Sequence, residues 1–217
     1  MPVPARRALG SAAAVVGVAL AIIGTWMVVK LGPSGEAHFV VTSKAPGAIV
    51  VTQDVLNTVD GPVRVSATRR DGGAVRLVVA PSTDARAVLA TSAVSTVTNL
   101  RFPAGTLELR TSGEAPLSDI SKADVWRLAA TGKGSAELLV DQGRGPETAV
   151  VTSGDATALA DVMVTLIFAD RAWFFEALAA AMIGAVIAAF ALSYLWHGRV
   201  VAAKANLLGT TTSEVKT

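Results

Sequence analysis

Two stretches of the chain are apolar at nearly every position, and between them apolar and polar residues alternate. Residues 8–29 carry no charge and lie between Arg7 and Lys30; residues 177–196 carry none and lie between Glu176 and His197. At about 1.5 Å of rise per residue, either run is long enough to cross a hydrocarbon layer roughly 30 Å thick. The pattern predicts transmembrane helices over 8–30 and 172–196. The first run is longer than the apolar part of a secretory signal and ends in Trp26, Met27, Val28, Val29 and Lys30, with no small-residue cleavage pattern. It is therefore expected to stay on the protein as an anchor.

The segment 31–171 breaks into short alternating runs separated by Gly, Pro, Asp and Ser, the pattern of an antiparallel β domain. Strands are predicted near 36–42, 46–51, 63–69, 73–80, 94–100, 106–110, 124–131, 135–141, 148–152 and 161–168. One short helix is predicted over 82–91, with Ser82 or Thr83 as its N-cap and Asp84 in the first turn, where the helix dipole favours an anion. Ten short strands and one inserted helix imply a mainly β, antiparallel β-sandwich-like domain. Only a few residues separate its last strand from the second apolar run, so the domain is expected close to the membrane on a short tether.

Side-chain alternation also suggests pairings, because facing strands turn their apolar residues to the same side. Val63, Val65 and Ala67 match Val79, Leu77 and Val75, which predicts a hairpin with a three-residue loop, Arg70-Asp71-Gly72, and glycine where the backbone needs positive φ. Trp126, Leu128 and Ala130 match Val140, Leu138 and Ala136 about Gly132-Lys133-Gly134 in the same way. Arg69, Arg70 and Asp71 then read as a solvated turn.

Charge changes the picture only when sorted by region. Between residues 33 and 170, 12 Lys and Arg face 15 Asp and Glu, so the basic surplus lies in the flanks and no nucleic-acid partner is implied. Before residue 8 and after residue 196, Arg6, Arg7, Arg199, Lys204 and Lys216 stand against Glu214. By the positive-inside rule the termini, 1–7 and a flexible tail over 197–217, are expected in the cytoplasm and the β domain outside. With no cysteine in the chain, disulfides, thiolate metal sites and thiol catalysis are excluded.

Small residues recur along one face of each apolar run: Gly10, Ala14, Gly17, Ala21 and Gly24 in the first, Ala177, Ala181, Gly184, Ala188 and Ala191 in the second. Such faces let helix backbones approach closely in lipid. In the first run glycine carries the pattern and points to packing; in the second, an alanine-rich composition accounts for it equally well. Glu176 and Lys30 fall at the same membrane face, which suggests an ion pair or simple snorkelling. Trp26, Trp173, Tyr194 and Trp196 sit at the span ends as interfacial anchors, whereas Trp126 reads as core.

Candidate chemistry is sparse. His38 is the one histidine between the apolar runs and has no nucleophile or paired acid near it in sequence. The TGKGS run at 131–135 lacks the upstream glycine and following helix of a phosphate loop, and Asp155 and Asp161 lack the alternation of a calcium loop. No catalytic, cofactor-binding or metal site is expected.

The runs VRVSAT and APSTDARAVLA, then DVWRLAATGKGSAEL, then AVVTSGDA ahead of the second apolar run, resemble a group of uncharacterised actinobacterial membrane-anchored proteins over roughly residues 60–196. The resemblance implies a β-rich exported domain with a C-terminal transmembrane helix and transfers no site residue. The sequence thus leads to a non-enzymatic, multi-pass protein of a bacterial plasma membrane. Its partners are the lipid bilayer and an envelope protein that the exported domain binds or scaffolds. The alternative is a small-ligand or glycan site in the loops at 101–105 or 142–147.

Overall fold

The computed structural model describes residues 3–45, 47–117, 120, 123–141, 145–154, 159 and 161–211, with side chains described from 8 to 197. It divides into two units: the helices at the two ends of the chain, and a mainly β body over Glu36–Asp170.

The end helices are α1 (Val3–Leu31) and α4 (Arg171–Thr211). Residues Ala8–Leu31 and Arg171–His197 are long and apolar enough to cross a membrane, with mean hydropathy of 2.4 and 2.2. The backbone of α4 runs on helically to Thr211, where a flexible tail was expected from residue 197. Residues 212–217 lie outside the described residues.

Glycine decides how α1 and α4 meet. A Cβ on Gly17 would lie 2.6 Å from the backbone nitrogen of Ala188, and one on Gly184 would lie 2.4 Å from that of Ala21. These approaches are too short for any side chain, so the two small-residue faces read from the sequence are the faces in contact. In lipid, where burial of apolar surface drives nothing, such close van der Waals packing is what joins helices. Glu176 and Lys30 are both exposed and form no ion pair, which removes that half of the expectation.

The β body contains β1 (Glu36–Ser43), β2 (Ala48–Val51), α2 (Gln53–Leu56), β3 (Val63–Arg69), β4 (Ala74–Pro81), α3 (Ser82–Leu89), β5 (Val94–Arg101), β6 (Thr106–Ser112), β7 (Leu128–Lys133), β8 (Ser135–Val140), β9 (Glu147–Ser153) and β10 (Val162–Ala169). All ten expected strands are present. Among the described residues two short α-helices stand where one was expected, because the turn Gln53–Leu56, whose Val55 and Leu56 are buried, has no periodicity long enough to register in sequence.

The strands form one hydrogen-bonded sheet, nearly closed and barrel-like, in the order β7-β4-β9-β2-β5-β6-β1-β10-β3-β8. The sheet is mixed where an antiparallel one was expected: β2 with β5 and β1 with β6 are parallel. One face is lined by Val63, Val65, Ala67, Val75, Leu77, Val79, Val162, Val164, Leu166 and Phe168, each 1% exposed or less. Full burial of a side chain such as Phe168 is worth about 1.5–3 kcal/mol. Its ring meets that of Phe39 edge-on, with centroids 5.8 Å apart.

The predicted hairpins do not form as drawn. Val65 pairs with Leu138 rather than Leu77, and Leu77 pairs with Ala130. The stretch from β3 to β4 is one long bent ribbon strand, and the stretch from β7 to β8 runs antiparallel along its whole length. Between the pairs Thr68 with Ser135 and Ala74 with Lys133, six residue steps on one strand face two on the other. The excess forms a corner at which the ribbon changes direction. The glycines expected to take positive φ do so, Gly72 at 72° and Gly134 at 78°, but at a corner rather than at hairpin tips.

Over β2, β4 and β9 the second face is buried as well. Ala48, Val50, Val78, Ala80 and Val150 pack with Ala85 and Leu89 of α3 and with Ile120, and Trp126 packs against this cluster. The Trp126 indole N–H donates to the Ile120 carbonyl at 2.7 Å, so Trp126 is the packing residue expected, placed just before β7 rather than within a strand. The start of α3 differs from expectation too. Pro81 holds the cap position, and the Ser82 hydroxyl donates to the Pro146 carbonyl at 3.1 Å.

Candidate functional site

Among the described residues of the β body, the ribbon corner, an ion pair at the start of β9 and a cleft beside α2 and α3 gather buried or clustered polar side chains. The corner is built from Arg69. Its side chain is 4% exposed, and its guanidinium donates through Nε and Nη2 to the two carboxylate oxygens of Asp71 at 2.9 and 2.5 Å and through Nη1 to the Ala74 carbonyl at 3.1 Å. The Gly73 amide donates to the same carboxylate at 2.9 Å. These bonds from Arg69 and Gly73 hold the Asp71 carboxyl below its ordinary range. Arg69 is thus a buried strut rather than part of a solvated turn, and it engages both carboxylate oxygens of Asp71.

The ion pair joins Arg127 and Glu147. Glu147 is buried at the start of β9, and both its carboxylate oxygens accept from the Arg127 guanidinium, Oε2 from Nη2 at 2.5 Å. The Arg127 guanidinium is raised above its ordinary value by this hydrogen bond. Bidentate pairing satisfies a carboxylate that would otherwise be costly to bury. It also commits the one acid of the loop at 142–147, of which residues 142–144 lie outside the described residues. In the other loop read as a candidate, Arg101 is committed to Glu108 across the β5–β6 turn. Neither loop gathers free polar groups among the described residues. His38 is an exposed residue of β1 with its Nε2 3.4 Å from Glu36.

The cleft is different. It encloses about 280 Å³ beside α2 and α3, over an apolar floor of Val50, Ala85, Leu89 and Val94. Thr52, Gln53 and Asp54 line it from the α2 side, Ser82 and Arg86 from α3, Thr96 from β5 and Thr148 from β9. Two of these are spent on structure: the Thr148 hydroxyl donates to Ser82 Oγ at 2.9 Å, and Ser82 in turn donates to Pro146. The side chains of Thr52, Gln53, Asp54, Arg86 and Thr96 make no hydrogen bond or ion pair among the described residues. At the rim, Ala90 ends α3 with φ of 36°, a conformation unusual outside glycine.

Sequence reading missed this cleft because its residues come from five separate elements and none forms a motif. The run Ser82-Thr83-Asp84-Ala85-Arg86 was visible only as a helix start, and its Arg86 becomes informative once Asp54 lines the same cavity.

At the level of sequence, no family model matches the chain and no curated protein matches it. Among solved structures, the flagellar cap protein FliD D1-D2-D3 domains from Escherichia coli are similar with a TM-score of 0.23 and 10% identity, over 87% of this chain and 72% of that one.

Proposed function

We propose that the chain is an integral membrane protein of a bacterial cell envelope whose β domain, outside the cytoplasm, binds a partner polypeptide along a free sheet edge. The helical hairpin of α1 and α4 is the anchor, both termini are cytoplasmic, and the bent sheet is packed in the manner of a sandwich. Apolar length, the basic flanks and the glycine-mediated contact of the two helices support the anchor.

The observation that carries the partner reading is the position of β7 and β8. They are the two end strands of the sheet order and one continuous stretch of chain, and among the described residues no strand pairs with their outer edges. Such an edge presents unpaired N–H and C=O groups that an extended segment satisfies by adding as a strand. Leu139, on the outer face at this edge, is 57% exposed and offers an apolar contact for the incoming strand.

Photo-crosslinking from full-length protein in membranes tests this. A photoreactive residue at Ala129 or Leu139 is expected to capture a partner that protects β7 and β8 amides from hydrogen exchange, and Leu139→Lys is expected to abolish capture while melting stays unchanged. Equal capture from Glu108, which lies outside this edge, or capture of a second copy of the chain alone, overturns the reading.

A further inference from the structure

We infer that the cleft between α2 and α3 binds a small zwitterion, a free α-amino acid. The argument rests on what the lining can and cannot satisfy. Arg86 and Asp54 place a cation and an anion on one cavity, and neither has an ion-pair partner among the described residues. A simple anion that pairs with Arg86 meets repulsion from Asp54, and a simple cation meets the reverse. A molecule that carries a carboxylate and an ammonium a few bonds apart satisfies both, the carboxylate in the fork of the guanidinium and the ammonium on the Asp54 carboxylate.

The remaining chemistry narrows the class. Thr52, Gln53 and Thr96 add hydroxyl and amide groups with unused donors and acceptors, while Val50, Ala85, Leu89 and Val94 give the side chain of the ligand an apolar floor. At about 280 Å³ the cavity falls at the lower end of ligand pockets, which suits one small metabolite better than an oligomer. No aromatic ring lines it, so the stacking surface that a sugar face or a nucleobase would use is missing. No group of three metal-ligating side chains occurs among the described residues, so the free carboxylate is not part of a cation cage.

The site lies apart from the β7–β8 edge, and its test is independent of the edge. Full-length protein in detergent is titrated calorimetrically with each of the common L-amino acids, and with acetate, methylamine and glucose as probes that carry only one part of the recognised chemistry. At least one amino acid is expected to bind saturably at one site, with acetate, methylamine and glucose giving no saturable heat. Because Arg86 and Asp54 are exposed, Arg86→Gln and Asp54→Asn are expected to fold normally, and each is expected to weaken binding at least about tenfold through a lost charge-assisted bond. Arg86→Lys, which keeps the charge but loses the fork, is expected to retain part of the affinity. The inference is overturned if no amino acid binds, if acetate or glucose binds as well as the best amino acid, or if Arg86→Gln and Asp54→Asn both bind normally.

Discussion

A Cβ built on Gly24 would lie 2.5 Å from the backbone nitrogen of Ala181, so hydrogen is the largest substituent that α1 can carry at this point against α4. Gly17 repeats the relation with Ala188 two turns away. Because the obstruction is backbone, no rotamer change relieves it, and a larger residue must push the helices apart. Gly24→Val and Gly17→Val are each expected to destabilise the helical hairpin by about 1–3 kcal/mol, the usual cost of overpacking. Ala12→Val, on an exposed part of α1, is expected to leave it unchanged. Thermal unfolding in detergent, followed by helical circular dichroism, distinguishes the three variants. Equal melting of all three would show that the contact is incidental.

At the ribbon corner the buried guanidinium of Arg69 ties together Asp71 and the Ala74 carbonyl, and it lies where any side chain on Gly73 would go, 2.6 Å from a Cβ there. Arg69→Ala is expected to cost about 1.5–3 kcal/mol for its charged hydrogen bonds. Arg69→Lys is expected to recover little, since an ammonium cannot reproduce the two-pronged geometry. Denaturant unfolding of the variants, read by the change in tryptophan emission, to which Trp126 contributes from the β body, measures both. Full recovery by lysine would mean that charge alone, and not the fork, makes the corner.

The same corner predicts a pH response with a definite sign. The Asp71 carboxyl is held below its ordinary value of 3.8 by Arg69 first and the Gly73 amide second. A carboxyl whose folded value is depressed contributes stability in full above its unfolded value and loses it as pH falls through the folded one. Asp71→Asn is therefore expected to melt below the wild type at pH 7 and to converge with it as pH is lowered beneath 3.8. A gap that stays constant from pH 7 to pH 2.5 would place the contribution of Asp71 outside its charge.

What the sequence disclosed, and what it hid, follows from which interactions are local. Apolar length fixed both end helices, and alternation located all ten strands, because each signal lies within one element. The small-residue faces were legible for the same reason, and the structure brings them together. Partner choice was not legible. Val65 turned inward satisfies the sheet equally against Leu77 or Leu138, since hairpin and bent ribbon bury the same face. Nor was the cleft, whose lining takes in both Asp54 and Arg86 only because β2, β5 and β9 carry α2 and α3 to one place. Glu147 was read as a loop residue, and its burial depends on Arg127, 20 residues earlier in the chain.

Because alternation cannot separate the two pairings, a distance measurement must, and the absence of cysteine makes one available. In the bent ribbon Ser66 faces Glu137 directly. Directly opposed antiparallel residues have Cα atoms about 4.5–5.5 Å apart, within the span of a disulfide. The hairpin pairing instead sets Ser66 opposite Arg76. Both Ser66 and Glu137 lie on the outer face, and the ion pair that Glu137 gives up to Arg64 is exposed on both sides, so the substitutions disturb little. The double variant Ser66→Cys with Glu137→Cys is expected to form an intramolecular disulfide on mild oxidation, read as a mobility shift reversed by reductant. Ser66→Cys with Arg76→Cys is expected to keep two free thiols by mass-labelled alkylation. The opposite outcome would restore two separate hairpins, remove the continuous β7–β8 edge, and with it the docking surface for a partner strand.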